Sequence, residues 1–150
     1  IITAGMALGA SRMSGSDKQT YYKLGTSPDV KDSAQSMAES LTAGGCCHED
    51  LALIESIGSL RGFYDLVEAG VPFPKDSIGS FVGYKTDHDP YERATSAGPR
   101  KSKFMREGLE KQVLALGMKI FDDQAAALLI TTGTGEEKRI KAVVTINKKK

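Results

Sequence analysis

The chain has 150 residues, 40% of them hydrophobic, 26% charged and 7% aromatic, with a formal net charge of +1. That length gives one domain with a real core, and the intermixed, nearly balanced charge excludes a nucleic-acid surface built on bulk basicity. No apolar run reaches the roughly 18–20 residues that span a bilayer, so no membrane segment is expected, and Lys148-Lys149-Lys150 reads as a short solvated tail.

In chain order, Ile1-Ile2-Thr3 reads as the end of a buried strand cut on its N-terminal side. No basic stretch followed by a long apolar one marks a signal peptide, and without an initiator Met the chain is expected to be an internal piece of something longer. Residues 5 to 18 are rich in Gly and Ser, which predicts a loop or a loop running into a short turn. Ser27-Pro28 is a helix start, with Ser27 as cap and Pro28 in the first turn. The helix carries Val30, Ala34, Met37 and Leu41 and stops at Gly44-Gly45.

A second helix begins near His48, with Glu49 and Asp50 favourably placed in its first turn and Leu51, Leu53, Ile54 and Ile57 as apolar positions. Gly58-Ser59 is expected to break or kink it, and a third helical segment carries Leu60, Phe63, Tyr64, Leu66 and Val67 to a stop at Gly70. Val71-Pro72-Phe73-Pro74 must be extended, because residues before proline avoid the helical region.

Ile78 to Tyr84 suits a short strand, and the polar, aperiodic stretch 85 to 99 reads as a loop. Pro99 then opens a helix that turns Phe104, Met105, Leu109, Val113 and Leu116 inward and ends at Gly117. Three strand-like runs follow, Met118 to Phe121, Ala125 to Thr131 and Ile140 to Ile146, the last two flanking the turn-rich hairpin loop TTGTGEEKR. The fold class is therefore mixed α/β, with helices, a β-meander and a sheet that chain outside this stretch would complete.

Cys46 and Cys47 are adjacent and the only cysteines, so they form no disulfide framework and read as reduced thiols in a cytoplasmic setting. Three contiguous ligands do not readily converge on one tetrahedral ion, so Cys46-Cys47-His48 reads as a helix start rather than a metal site. His88, in Asp87-His88-Asp89, admits a metal or proton-relay role, although an exposed polar loop explains it better. Arg93 and Arg100 flank the TSAGP turn, where either an anion contact or plain surface solvation accounts for them, the second being preferred. Phe63-Tyr64 and Tyr21-Tyr22 suit core packing rather than stacking on a ring. No Ser-His-Asp or Cys-His nucleophile arrangement can be built.

The most informative stretch is 9 to 22, GASRMSGSDKQTYY. Ser11, Ser14 and Ser16 supply hydroxyls, while Gly9 and Gly15 let backbone approach a ligand. Such a loop after a buried strand can wrap a phosphate or a flavin ring, or it can simply connect.

This stretch resembles the part of the succinate dehydrogenase/fumarate reductase flavoproteins that follows the second Rossmann strand. The likeness continues in order through DSAQSMAESLTAGGCCHEDLALIESI (32 to 57), LVEAGVPF (66 to 73), ERATSAGPRKSKFMREGLEKQV (92 to 113) and MKIFDDQAAALLITTGTGEEKRIKAVVTIN (118 to 147). The resemblance implies a partial FAD-binding domain, Rossmann-like and of the glutathione-reductase type, and hydride transfer between flavin and a small-molecule substrate of the parent protein. It places Ser11 near the FAD pyrophosphate and Ser14, Gly15, Ser16 and Asp17 along the flavin, with Arg12 and Met13 in the same bend; Ala125 or Ala126 would offer a backbone contact to adenine. It also implies that a GxGxxG loop precedes this stretch and that a substrate cap with the catalytic Arg and His residues follows it. Thr3 stands near the position where many flavoproteins carry a ribose-binding Glu. The alternative is a non-catalytic module without a complete flavin site, associating with itself through an unpaired sheet edge.

Overall fold

A computed structural model describes residues 1–16, 19–25 and 31–149. Helix α1 (Ala10–Met13) is followed by strand β1 (Tyr21–Tyr22), helices α2 (Ala34–Thr42) and α3 (Glu49–Glu68), and strands β2 (Tyr84–Thr86) and β3 (Asp89–Thr95). Helix α4 (Lys101–Ala115) then leads to strands β4 (Gln124–Thr132) and β5 (Arg139–Asn147), with a 3-10 turn at Gly135–Glu137 between them. The architecture is mixed α/β with two small antiparallel sheets, ordered β1-β3-β2 and β4-β5.

Local chemistry accounts for the helix ends. Ser33 caps α2: its side chain accepts from the Ser36 N–H at 3.1 Å while the Ser36 hydroxyl accepts from the Ser33 N–H at 3.1 Å, a reciprocal box. The expected start at Ser27-Pro28, with Val30, lies outside the described residues. Helix α3 ends in a Schellman motif, with Gly70 at φ +87° donating to Val67 O and Val71 N donating to Leu66 O at 3.0 Å. Val71 and Leu66 are both buried, so this cap also turns the chain into the core.

Gly58-Ser59 does not break the helix, because α3 runs unbroken through both residues. Ser56 Oγ donates to Ala52 O at 2.7 Å and Ser59 Oγ to Ser56 O at 2.8 Å, so both hydroxyls are satisfied within the helix. Tyr21 hydroxyl donates to Ser59 O at 2.9 Å, and a Cβ at Gly62 would lie 2.8 Å from that same hydroxyl oxygen. Tyr21 thus packs against α3 where Gly62 makes room.

The core is Phe63, Leu66, Val71 and Phe73, with Tyr21, Val67, Phe81, Ala97 and Met105 packed against it. Phe63 is fully buried and its ring centroid lies 4.7 Å from that of Phe73 and 4.9 Å from that of Phe81. Phe63 and Tyr21 are therefore packing residues, as their sequence context suggests.

Several expectations need correction. Of Ile78 to Tyr84 only Tyr84 is in a strand, opening β2; the residues before it hold a turn in which Asp76 Oδ1 accepts from Ile78 N and Ser80 N, plus a single Lys75–Phe81 bridge. The polar stretch 85 to 99 instead contains β3, the central strand, which pairs Tyr21 with Thr95 on one side and Tyr84 with Ala94 on the other. Of the apolar residues expected on the inner side of α4, Phe104, Leu109 and Leu116 are exposed and Met105 packs on the core. The buried positions are Lys101 and Gly108, and at 108 a Cβ would lie only 2.3 Å from the Ala69 carbonyl oxygen. Close crossing, not an apolar stripe, sets this face.

Ile1-Ile2-Thr3 is not a buried strand: Ile1 and Ile2 are exposed. The segment runs parallel to residues 119–124 through one Ile2–Phe121 bridge, with Thr3 N donating to Phe121 O at 3.0 Å and Gln124 N to Thr3 O at 2.9 Å. Met118 to Phe121 contributes only that bridge, so the expected meander is the β4–β5 hairpin beside a bridged segment.

Candidate functional site

Thr3 leads directly into the Gly/Ser bend. Gly9 at φ 114° stands before α1, and Ser14 closes the single turn, its N–H and Oγ both donating to Ala10 O, at 2.8 and 2.7 Å. The bend is fastened to the start of α4, since Ser16 N donates to Pro99 O at 3.0 Å. On its other side, Arg106 donates to Met6 O and pairs with Glu110 at 2.6 Å, while Met6 N donates to Asp122 Oδ1 at 2.9 Å.

This fastening opens a cavity of about 390 Å³ lined by Arg12, Met13, Ser14, Gly15, Arg100 and Lys103. Three cations face it. Arg12 and Lys103 lie 3.9 and 3.8 Å from one carboxylate, Glu107, and Arg100 has no ion-pair partner among the described residues. The lining therefore carries a surplus of positive charge, and the Gly15 N–H makes no hydrogen bond among the described residues. A spare backbone donor beside surplus cations suits an anion with several oxygen acceptors, such as a diphosphate.

Of the residues singled out in the sequence, Arg12, Met13, Ser14 and Gly15 share this cavity with Arg100 and Lys103. Ser11 is exposed on α1, Ser16 is also exposed and gives its backbone N–H to the Pro99 carbonyl, and Asp17 lies outside the described residues. Ala125 and Ala126 do not line this cavity; they stand on β4 opposite Ile146 and Thr145, next to the Gln124 N–Thr3 O bond. Cys46 and Cys47 are free and exposed, and His48 stands at the N-cap position of α3 without a side-chain cap hydrogen bond.

Sequence reasoning missed a second polar centre. Arg93 is 2% exposed, not a solvated surface residue. Its guanidinium donates to both oxygens of Asp32, at 2.9 and 2.6 Å, to Asp89 at 3.0 Å, and to Ser36 and Ser40 at 3.0 Å each. Burial alone would raise the Asp32 pKa, but hydrogen bonds from Arg93, Gly25 N, Ser36 and Ser33 N outweigh it and hold the carboxyl well below the usual carboxylate range. Asp89, expected in an exposed loop, is buried here, whereas its neighbour His88 is exposed. A cavity of about 200 Å³ adjoins the cluster, lined by Tyr22, Met37, Ser40, Leu41, Thr86, His88, Asp89 and Arg93. The cluster's donors and carboxylate oxygens are consumed among themselves, so it ties α2 to β3 rather than offering them to a ligand.

No protein family and no curated protein matches the chain. The fold is nevertheless similar to part of a solved structure. Sdh1 of Mycobacterium smegmatis, solved in complex with UQ1, is similar over 96% of this chain with a TM-score of 0.67 at 14% identity. The chain spans 26% of Sdh1. Among the described residues, no helix is long and apolar enough to cross a membrane.

Proposed function

We propose that this chain is the central part of an FAD-binding domain in an oxidoreductase of the succinate dehydrogenase/fumarate reductase flavoprotein kind, with the bend from Gly9 to Asp17 lying along FAD. The observation that carries this reading is the cationic cavity on the Gly/Ser bend, lined by Arg12, Ser14, Gly15, Arg100 and Lys103. The succinate dehydrogenase-like fold and the order of sequence segments support it.

In this reading Arg12, Arg100 and Lys103 neutralise the diphosphate, the Gly15 N–H donates to it, and Ser14 holds the bend closed through Ala10 O. Ala125 or Ala126 would give adenine a backbone contact. FAD would supply the hydride chemistry, and the protein binds and orients it. The glycine loop, the substrate cap and the small-molecule substrate belong to the rest of the parent protein.

The test is the visible spectrum and FAD titration of the full-length protein that carries this segment. The expected result is bound flavin, lost in Ser14→Trp with the far-UV circular dichroism unchanged. A colourless protein that takes up no FAD, or full FAD affinity in Ser14→Trp, refutes the reading.

A further inference from the structure

Helix α3 has two apolar faces. Ala52, Ser56, Ser59, Phe63 and Leu66 are buried on one. On the other, Ile54 and Ile57 are each 64% exposed and Tyr64 is 49% exposed, and Asp50 and Arg61 share that side. At about 100° per residue these five positions fall within an arc of roughly 80° opposite the core-facing side. An isolated exposed Ile needs no explanation, but an ordered stripe over four turns of helix does.

The charges on this stripe identify what fits it. Asp50 and Arg61 make no ion pair among the described residues. They bracket Ile54 and Ile57 symmetrically: the midpoint of residues 50 and 61 is also the midpoint of residues 54 and 57. If two copies of α3 lie antiparallel about a two-fold axis through that midpoint, Ile54 of each meets Ile57 of the other, and Asp50 of each meets Arg61 of the other. One Asp50–Arg61 pair forms at each end of the apolar centre. A two-fold interface requires this kind of self-complementarity, in which residue i contacts j and j contacts i. A parallel arrangement would instead stack Asp50 on Asp50 and Arg61 on Arg61, which opposes it.

We infer that the outer face of α3 is a homodimer interface, whose occupant is α3 of a second copy of this protein. The surface differs from the sheet edge that the sequence suggests for self-association, and it lies on residues other than those lining the cationic cavity. Its test therefore does not depend on flavin binding.

The experiment measures the mass of the full-length protein by light scattering and sedimentation at micromolar concentration. The wild type should be a dimer. Asp50→Arg or Arg61→Asp alone places like charges opposite each other and should raise the dissociation constant at least about tenfold. The double variant Asp50→Arg/Arg61→Asp restores opposite charges and should restore the dimer. Ile57→Glu should give a monomer with unchanged circular dichroism. A monomeric wild type would overturn the inference, since other parts of the parent polypeptide then cover this face. So would a dimer indifferent to the single charge reversals, or one that the double swap fails to rescue.

Discussion

Replacing Arg93 with Met tests the strongest electrostatic feature of the molecule. The substitution keeps much of the volume and removes the cation, leaving Asp32 and Asp89 with side chains 1% and 6% exposed and no counter-charge. Removing one partner of a buried ion pair costs about 3–5 kcal/mol, because the remaining charge loses both its partner and its access to water. With a urea slope near 2 kcal/mol/M, that is a fall of roughly 2 M in the denaturation midpoint at pH 7. Arg93→Lys should recover only part of it, since an ammonium cannot reproduce the fork that grips both Asp32 oxygens. The pH dependence follows from the sign of the Asp32 shift. Its folded pKa is held below the ordinary 3.8, so the wild type has this stabilisation in full above that value and loses it as pH falls through the folded pKa. In Arg93→Met the buried Asp32 carboxyl lacks its cation and protonates more readily, so the gap between wild type and variant narrows on acidification. Urea titrations followed by circular dichroism from neutral to acid pH measure this. A loss under about 1 kcal/mol at pH 7, or a gap that stays constant on acidification, would refute the reasoning.

Gly108→Ala should destabilise the protein by about 1–3 kcal/mol, even though alanine is the better helix former, because its Cβ would press on the Ala69 carbonyl oxygen at the α3–α4 crossing; a neutral or raised urea midpoint would contradict this. Lys101 is 6% exposed with its amine over the Tyr21 ring at 5.8 Å, and burial lowers its pKa. Its neutral form is thus favoured in the folded state, so wild-type stability should gain as pH rises from the lowered folded pKa towards 10.5, and Lys101→Met should be at least as stable at pH 7 and should lack that gain. Thermal melts across that range provide the check.

What could be read from the chain was local. The Gly/Ser bend with its short turn, the α2 stop before Gly44-Gly45, the α3 start at His48, the Gly70 stop and the β4–β5 hairpin all follow from residues within a few positions of one another. The cavity on the bend was half legible: Arg12, Ser14 and Gly15 are contiguous with it, whereas Lys103 reaches it only because Ser16 is tied to the Pro99 carbonyl at the head of α4.

The remainder was decided by tertiary contact. Strand β3 has the sequence DPYERAT, without apolar alternation, and becomes a strand because β1 and β2 pair along its two edges. Gly58-Ser59 stays helical because the seryl hydroxyls find acceptors inside α3 and Tyr21 packs against it. Arg93 is the clearest case. Its spacing to Asp89 is visible in the sequence, but an arginine is buried only when its charge is matched and its donors are satisfied, and the carboxylate that does most of this, Asp32, lies 61 residues earlier. Composition and short-range pattern fix where helices start and stop, since capping and turn chemistry act over a few residues. Which charges go inside depends on partners that only the folded chain brings within reach.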